Sequence, residues 1–185
     1  MLNYIHSKES NNSAYIDGAN LDKAMKELGW LLDYKRFRVW LFEKYNIKRA
    51  YIFIGLIPKY KNLYTYLQEL GFMLIFKEVM YDGIGRPKGN CDADLVLRAT
   101  CDTYENNFDK AIIVTSDGDY ASLVKFIQEK KKLLVILSPS IYKKCSILLK
   151  KTGVKISYIN DKRSILEIQN EKAPNADETA SGSFS

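Results

Sequence analysis

The chain has 185 residues, 46% of them apolar, and its 28 Lys and Arg residues outnumber 22 Asp and Glu residues to give a net charge of +6. This length suits one α/β domain, and because the chain has neither an apolar run near the roughly 18 residues of a membrane span nor a leader-like start, we expect a cytoplasmic protein with no membrane partner. His6 is the single histidine, which argues against Ser-His-Asp triads, His-activated cysteines, two-histidine ribonucleases and histidine-ligated zinc.

The first half of the chain alternates apolar clusters of strand length with segments of helical periodicity. Gly29 ends one periodic segment, and Asp33 is a suitable N-cap for the next. The second predicted strand, RAYIFIGLI, is apolar almost throughout, which is typical of a strand buried on both faces. In chain order we predict a polar segment at 1–13, a strand at 14–16, helices at 20–28 and 34–45, a strand at 49–57, a helix at 61–70 and a strand at 72–79.

The second half opens with a loop rich in glycine and basic residues, YDGIGRPKGN. Residues 171–185 lack apolar periodicity and predict a disordered tail, so the domain is expected to span 14–170. Alternating strands and helices predict one Rossmann-like α/β domain with a mainly parallel sheet. After the loop we predict a helix at 92–104, a strand at 110–115 and a helix that opens at 116–119 and runs to 130. A strand at 133–138, a shorter helix at 141–150 and a sixth strand or edge segment at 154–160 follow.

Acidic residues lie just beyond the ends of two predicted strands, at the sheet edge where open α/β folds bind ligands. Asp17 follows the first strand, while Asp117 and Asp119 follow the fourth; Asp92 begins the helix after the basic loop. If the first and fourth strands are neighbours, these carboxylates converge and repel one another unless some are protonated or a divalent cation neutralises them. Oxygen-only ligands select Mg²⁺ or Mn²⁺, so the pattern predicts a metal site.

Each acidic residue also has an ordinary structural explanation. Asp17 suits a turn, Asp92 suits a helix N-cap, and Asp117–Asp119 suits a turn followed by a cap. Asp94 lies four residues before Arg98, so an exposed helical ion pair would explain both residues, and Asp94 is only a peripheral metal-site candidate. The occurrence of all four acids at one edge favours the metal-site interpretation.

Three segments carry a family resemblance: YIDGANL at 15–21, KGNCDADLVLRA at 88–99 and IVTSDGDYASLV at 113–124. They resemble, in order and spacing, the three motifs of the NYN domain family, and the resemblance covers about residues 14–160. It implies a PIN-like fold whose central sheet has the strand order 3-2-1-4-5. That order makes the first and fourth strands neighbours, as convergence of the acids requires.

Position by position, the resemblance implies a set of functional residues. Asn20 matches a polar residue suited to orienting a ligand, and Thr115 matches the small hydroxyl residue before the acidic pair. The family's Lys-Gly-x-Asp spacing is longer here, at 88–92, so either Asp92 or Asp94 would face the metal. The implied activity is phosphodiester hydrolysis, most simply of RNA, by a water that Mg²⁺ or Mn²⁺ activates. The implied catalytic and metal-binding residues are Asp17, Asp92, Asp117 and Asp119.

Basic residues suggest how an RNA partner would bind. We predict phosphate contacts from Arg86 and Lys88 in the glycine-rich loop and from Lys59 and Lys61 after the second strand. Tyrosines near Lys59 would suit stacking on single-stranded RNA, although tyrosines at helical spacing are more often core residues. A later lysine cluster is a further candidate, and assembly into a homo-oligomer stays open. Its members are Lys143, Lys144, Lys150 and Lys151.

Other functional classes remain as alternatives. A haloacid-dehalogenase-like phosphatase would need an acid two residues after Asp17, where Ala19 stands, and a Toprim-like enzyme expects Glu in place of Asp17. A non-catalytic RNA-binding or regulatory module could keep the acids as a structural metal site. The odd number of cysteines, without metal-ligand spacing, argues against disulfides and zinc and predicts reduced, mostly buried thiols. They are Cys91, Cys101 and Cys145.

Overall fold

A computed structural model describes residues 10–78, 80–81, 87–88 and 91–169, with only the backbone described in the two short ranges. The predicted tail at 171–185, most of the polar start, His6 and Arg86 fall outside these ranges. Within the described ranges, no helix is both long enough and apolar enough to cross a membrane.

The elements that the structure describes alternate along the chain, as predicted. Two additional strands of two residues each, Met80–Tyr81 and Pro87–Lys88, pair antiparallel outside the main sheet. Short 3-10 turns occur at Pro58–Tyr60, Gly118–Tyr120 and Ile159–Lys162. The strands of the main sheet are β1 (Asn12–Asp17), β2 (Ile47–Leu56), β3 (Phe72–Glu78), β4 (Ala111–Val114), β5 (Leu133–Ser138) and β6 (Ile156–Tyr158). The helices are α1 (Gly18–Leu28), α2 (Tyr34–Tyr45), α3 (Lys61–Glu69), α4 (Asp92–Tyr104), α5 (Ala121–Glu129), α6 (Ile147–Lys150) and α7 (Arg163–Leu166).

The main sheet has the strand order β3-β2-β1-β4-β5-β6, and every neighbouring pair is parallel. This confirms the predicted order and adds β6 beyond β5. β1 is central and buried at all six positions because it has a paired strand on each side and helices over both faces. Ile16 pairs with Val114, so β1 and β4 reach the same edge of the sheet together.

Alternating side chains of the strands divide the core into two layers. Ala14 and Ile16 pack in one buried cluster with Leu21 of α1 and with Phe37 of α2. Tyr15, between them in sequence, packs in the other cluster with residues of α4 and α5. The sheet therefore lies between two helical layers, and the carboxyl ends of its strands form one open edge.

The first strand begins at Asn12, two residues earlier than predicted. Asn12 is buried, its side-chain amide donates to the carbonyl of Tyr45 at 2.7 Å, and its Oδ1 accepts from the backbone N–H of Lys110 at 3.1 Å. Polar residues were expected to lie outside the strand, but tertiary hydrogen bonds satisfy this one inside the fold.

The predicted helix at 141–150 is wrong over its first half, because only Ile147–Lys150 is helical. Residues 141–145 form turns in which the N–H groups of Lys144 and Cys145 both donate to the carbonyl of Ile141. The N–H of Ser146 donates to the carbonyl of Ser116 at 3.0 Å, which draws this segment against the loop after β4. A tertiary contact therefore overrides the local helical periodicity.

The three cysteines differ in exposure. Cys145 is buried and Cys91 is half-buried, but Cys101 is exposed on α4. The prediction of mostly buried thiols is therefore wrong for Cys101. All three are free.

Candidate metal centre

Asp17 connects β1 to α1 at the open edge of the sheet. Its Oδ1 accepts a hydrogen bond from the N–H of Asn20 at 3.0 Å, so it caps α1, and its Oδ2 accepts from the hydroxyl of Thr115 at 3.4 Å. The structure therefore supports a cap role, but a cap alone does not explain the contact with Thr115 beyond β4. Gly18 permits this tight entry, since a Cβ there would lie 2.8 Å from the carbonyl oxygen of Phe53.

The electrostatics of Asp17 differ from those of a surface carboxylate, because its side chain is only 8% exposed. The pKa of Asp17 is raised to about 6, chiefly by burial and also by the negative charges of Asp92 and Asp117, while the hydrogen bonds from Asn20 and Thr115 oppose this rise. Neighbouring negative charge and burial both penalise the ionised form. Asp17 therefore gains from any cation placed beside it.

Asp92 is the first residue of α4, where the helix dipole favours a carboxylate. The N-cap is Cys91, so the alternative prediction that Asp92 is the N-cap is wrong. The hydroxyl of Tyr120 donates a hydrogen bond to Asp92 Oδ1, and burial raises the pKa of Tyr120, so its hydroxyl keeps the proton. Tyr120 thus fixes the orientation of the Asp92 carboxylate.

A buried polar network attaches α4 to the sheet and so sets the position of Asp92. Asp102, which is 2% exposed, accepts hydrogen bonds from the hydroxyl of Tyr15 at 2.7 Å and from Arg98 Nε at 2.8 Å. Arg98 also donates to the hydroxyl of Tyr51 at 3.0 Å. Because Tyr15 lies on β1 and Tyr51 on β2, the network holds α4 against two strands at once.

Asp94 occupies a different environment from Asp92. The expected ion pair between Asp94 and Arg98 is wrong, because Arg98 pairs with Asp102 and Asp94 pairs with Lys77 of β3 at 3.0 Å. The sequence analysis left open whether Asp92 or Asp94 faces the metal, and the ion pair of Asp94 with Lys77 favours Asp92. Asp94 has a cationic partner of its own and lies outside the acidic group described below.

The turn after β4 supplies two more acids. The N–H of Asp117 donates to Thr115 Oγ1 at 3.1 Å, and Asp117 Oδ1 accepts from the N–H of Asp119 at 3.1 Å. Asp117 therefore caps the 3-10 turn with one oxygen. Gly118 is required by close packing, since a Cβ there would lie 2.4 Å from Ser146 Oγ.

Three of the predicted aspartates come together as the acidic group, defined here as Asp92, Asp117 and Asp119. Each offers a carboxylate oxygen, and these oxygens all lie within 4.8 Å of one another. Asp92 and Asp117 are half-buried and Asp119 is exposed. Asp17 lies outside this set but close enough for the charges of Asp92 and Asp117 to raise its pKa. Oxygen ligands from separate segments at this spacing fit a divalent cation of the Mg²⁺ or Mn²⁺ type.

Asn20 connects α1 to the loop after β4. Its Oδ1 accepts from both the N–H of Ser116 at 2.9 Å and the hydroxyl of Ser116 at 2.8 Å. The hydroxyls of Ser116 and Ser140 lie 3.0 Å apart. Asn20 therefore holds the start of α1 against the loop after β4. The prediction that it orients a ligand stays a prediction.

Sequence reasoning missed two contributors to this site. Tyr120 stands directly after Asp119, and Ser116 directly before Asp117, yet neither was assigned a role. An aromatic hydroxyl directly after an acidic pair was an available signal for Tyr120. For Ser116 no local signal exists, because its partners come from α1 and the β5–α6 loop.

The predicted RNA-binding residues are placed only in part. Lys59, in the 3-10 turn after β2, and Lys61, the first residue of α3, are exposed beyond the same edge of the sheet, and Lys59 Nζ lies 4.8 Å from the ring centroid of Tyr60. The side chain of Lys88 and all of Arg86 lie outside the described residues. Tyr64 is buried, and its hydroxyl bonds to the backbone of Gly55 and Ile57, so it is a core residue.

A family model and one solved structure agree with this architecture. The model of the NYN domain matches residues 13–156. No curated protein matches the sequence. A protein of unknown function from Vibrio parahaemolyticus is 21% identical with a TM-score of 0.71, over 89% of this chain and 100% of that one, which shows a shared fold. The T5 D15 protein co-crystallized with metal ions is 14% identical with a TM-score of 0.40, over 74% of this chain and 56% of that one.

The family match spans all three sequence motifs and most of the sheet. The match concerns the sequence motifs, and the structure places aspartates of two of these motifs close together at one edge of the sheet. The chain therefore belongs to the NYN domain family, whose members are nucleases of the PIN-like superfamily.

Proposed function

We propose that this nuclease is a metal-dependent ribonuclease that hydrolyses phosphodiester bonds of single-stranded RNA. The observation that carries the proposal is the acidic group, with its oxygens within 4.8 Å of one another beside the buried Asp17. Family membership supports hydrolysis of nucleic acid and favours it over the phosphatase and Toprim-like alternatives. The positive net charge of +6 favours a polyanionic substrate.

Asp92, Asp117 and Asp119 would hold Mg²⁺ or Mn²⁺, with Asp17 directly beside them. When bound, the cation supplies positive charge that offsets the charge on the scissile phosphate and makes an attacking water more acidic. The chain has a single histidine, at position 6, so carboxylates are the available alternative to a histidine base.

The other residues of the site prepare it for this role. Tyr120 donates to Oδ1 of Asp92 and so holds this carboxylate in a fixed orientation beside the other acids. Thr115 contacts both Asp17 and the backbone of Asp117, which keeps the segments after β1 and β4 in a constant relative position. Positioned charge of this kind lowers the cost of reorganisation during reaction.

The decisive experiment is cleavage of labelled single-stranded RNA, single-stranded DNA and duplex DNA with Mn²⁺, with Mg²⁺ and with EDTA. We expect the wild type to cut RNA best, EDTA to stop cleavage, and Asp117→Asn to reduce it at least about a hundredfold while circular dichroism stays unchanged. Asp109→Asn is the matched control, since Asp109 is exposed before β4, at the opposite edge of the sheet.

Two outcomes would contradict the proposal. Wild-type turnover in Asp117→Asn would place catalysis elsewhere. An RNA-binding protein that metal stabilises but that cuts no nucleic acid would instead be the non-catalytic module with a structural metal site.

A further inference from the structure

The segment between α5 and the end of β6 is strongly basic. Residues 130–160 contain eight lysines and neither Asp nor Glu. Lys143, Lys144, Lys150 and Lys151 belong to its connection from β5 to β6. Lys144 forms an ion pair with Glu27 of α1 at 2.7 Å, whereas Lys143 and Lys151 are exposed. This local excess of positive charge suits a polyanion.

The β5–α6 loop, defined as residues 139–146, lies directly against the acidic turn Asp117–Asp119. The N–H of Ser146 donates to the carbonyl of Ser116 at 3.0 Å, and a Cβ on Gly118 would meet Ser146 Oγ at 2.4 Å. Leu148 also borders Gly118, and its own side chain is 51% exposed. The basic segment is therefore contiguous with the acidic group.

Tyr142 stands on this loop and is 65% exposed. Lys150 Nζ lies 4.2 Å from its ring centroid, and the ring of Tyr158 lies 6.0 Å away at an interplanar angle of 67°. Tyr158 ends β6, which lies two strands from β4, so about 10 Å separate the carboxyl end of β6 from the end of β4 that precedes the acidic turn. A short stretch of single strand can bridge that separation.

We propose that Tyr142, flanked by Lys143 and Lys150, is a stacking platform for a base of single-stranded RNA whose backbone continues into the acidic group. An exposed aromatic face beside cations, with no acid in the same segment, is the arrangement that binds single strands by stacking and phosphate contacts. The inference rests on the proposed function for its substrate class. It adds the direction in which the strand leaves the cleavage site, over β5 and β6.

The test measures binding of a fluorescent, mixed-sequence single-stranded oligoribonucleotide to the full chain in EDTA, so that no cleavage is needed. Tyr142→Ala should weaken binding at least about fivefold, and Tyr142→Phe should bind like the wild type, because stacking needs the ring and not the hydroxyl. An abasic strand of the same length should abolish the difference between Tyr142→Ala and the wild type.

Tyr104→Ala is the matched control. Tyr104 is 64% exposed and has Lys130 Nζ 5.1 Å from its ring centroid, but it ends α4, about 18 Å along the helix from Asp92. We expect Tyr104→Ala to leave affinity unchanged. Wild-type affinity in Tyr142→Ala, or equal losses in both variants, would overturn the platform.

Cleavage with Mn²⁺ separates this inference from the proposed function. If the wild type cuts RNA but Tyr142→Ala binds normally, the platform is wrong and the ribonuclease proposal stands. If Tyr142→Ala binds RNA weakly but the wild type cuts none, the platform stands and the ribonuclease proposal fails.

Discussion

The hydroxyl of Thr115 donates a hydrogen bond to Oδ2 of Asp17 over 3.4 Å, connecting the residue after β4 to the last residue of β1. The same hydroxyl oxygen accepts from the N–H of Asp117 at 3.1 Å. Thr115 is completely buried, so water does not replace either contact. One hydroxyl group therefore holds together two strand ends that carry the site's carboxylates.

Replacing Thr115 by Val keeps the side-chain shape but removes both hydrogen bonds. We expect a loss of about 1–3 kcal/mol in the free energy of unfolding, because the N–H of Asp117 and the carboxylate of Asp17 lose a buried partner. Urea denaturation measures this. Thr115→Ser should retain most of the stability, and Thr65→Val, which removes the exposed hydroxyl bonded to the carbonyl of Lys61, should change it little. Equal stability of the Val and Ser variants would contradict the role of the hydroxyl.

The raised pKa of Asp17 predicts a pH-dependent stability in the absence of metal. Its pKa is about 6 in the folded protein against an ordinary value of 3.8, so between these values the folded state binds more protons than the unfolded state. The free energy of unfolding then falls as pH rises from about 4 to 6 and stays lower above that, by an amount on the order of 3 kcal/mol. Asn still caps α1, so Asp17→Asn should be more stable than the wild type at pH 8 and nearly equal at pH 4.

Metal should remove the stability advantage of Asp17→Asn over the wild type at pH 8. Mn²⁺ offsets the repulsion among the ionised carboxylates, so it should raise the thermal midpoint of the wild type more at pH 8 than at pH 5, and Asp17→Asn should gain less. Denaturation across pH with EDTA and with Mn²⁺ measures both effects. A stability difference between Asp17→Asn and the wild type that did not change with pH would show that Asp17 does not titrate as its burial implies.

Adding a Cβ at Gly118 should disturb the packing between the acidic turn and Ser146. The Cβ of Gly118→Ala would lie 2.4 Å from Ser146 Oγ and 3.1 Å from Leu148 Cδ1, so these side chains must shift and the hydrogen bond from the N–H of Leu148 to Ser146 Oγ is disturbed. We expect a loss of about 1–3 kcal/mol in the free energy of unfolding, typical of overpacking. A double-mutant cycle with Ser146→Ala, which removes the nearest atom, should recover part of that loss. Strictly additive effects would mean that the two residues do not collide.

Much of the fold was readable from local sequence patterns. Apolar runs predicted five strands and a sixth strand or edge segment at 154–160, which the structure has as β6, and Gly29 and Asp33 marked the end of α1 and the start of α2 where the structure has them. The motifs predicted the strand order, which the sheet confirms and extends with β6. These features depend on neighbouring residues and on a known order of motifs, so no long-range contact was needed to see them.

The tertiary structure decided which side chains meet. Asp92 rather than Asp94 belongs to the acidic group because the network through Arg98 and Asp102 sets the rotation of α4, and Lys77 pairs with Asp94. The contact of Ser146 with Ser116 likewise replaced a predicted helix by turns. Sequence by itself determined the acids available and the strand ends that carry them. Their distances, partners and pKa values depend on strand register and helix rotation, which arise only when residues far apart in the chain pack together.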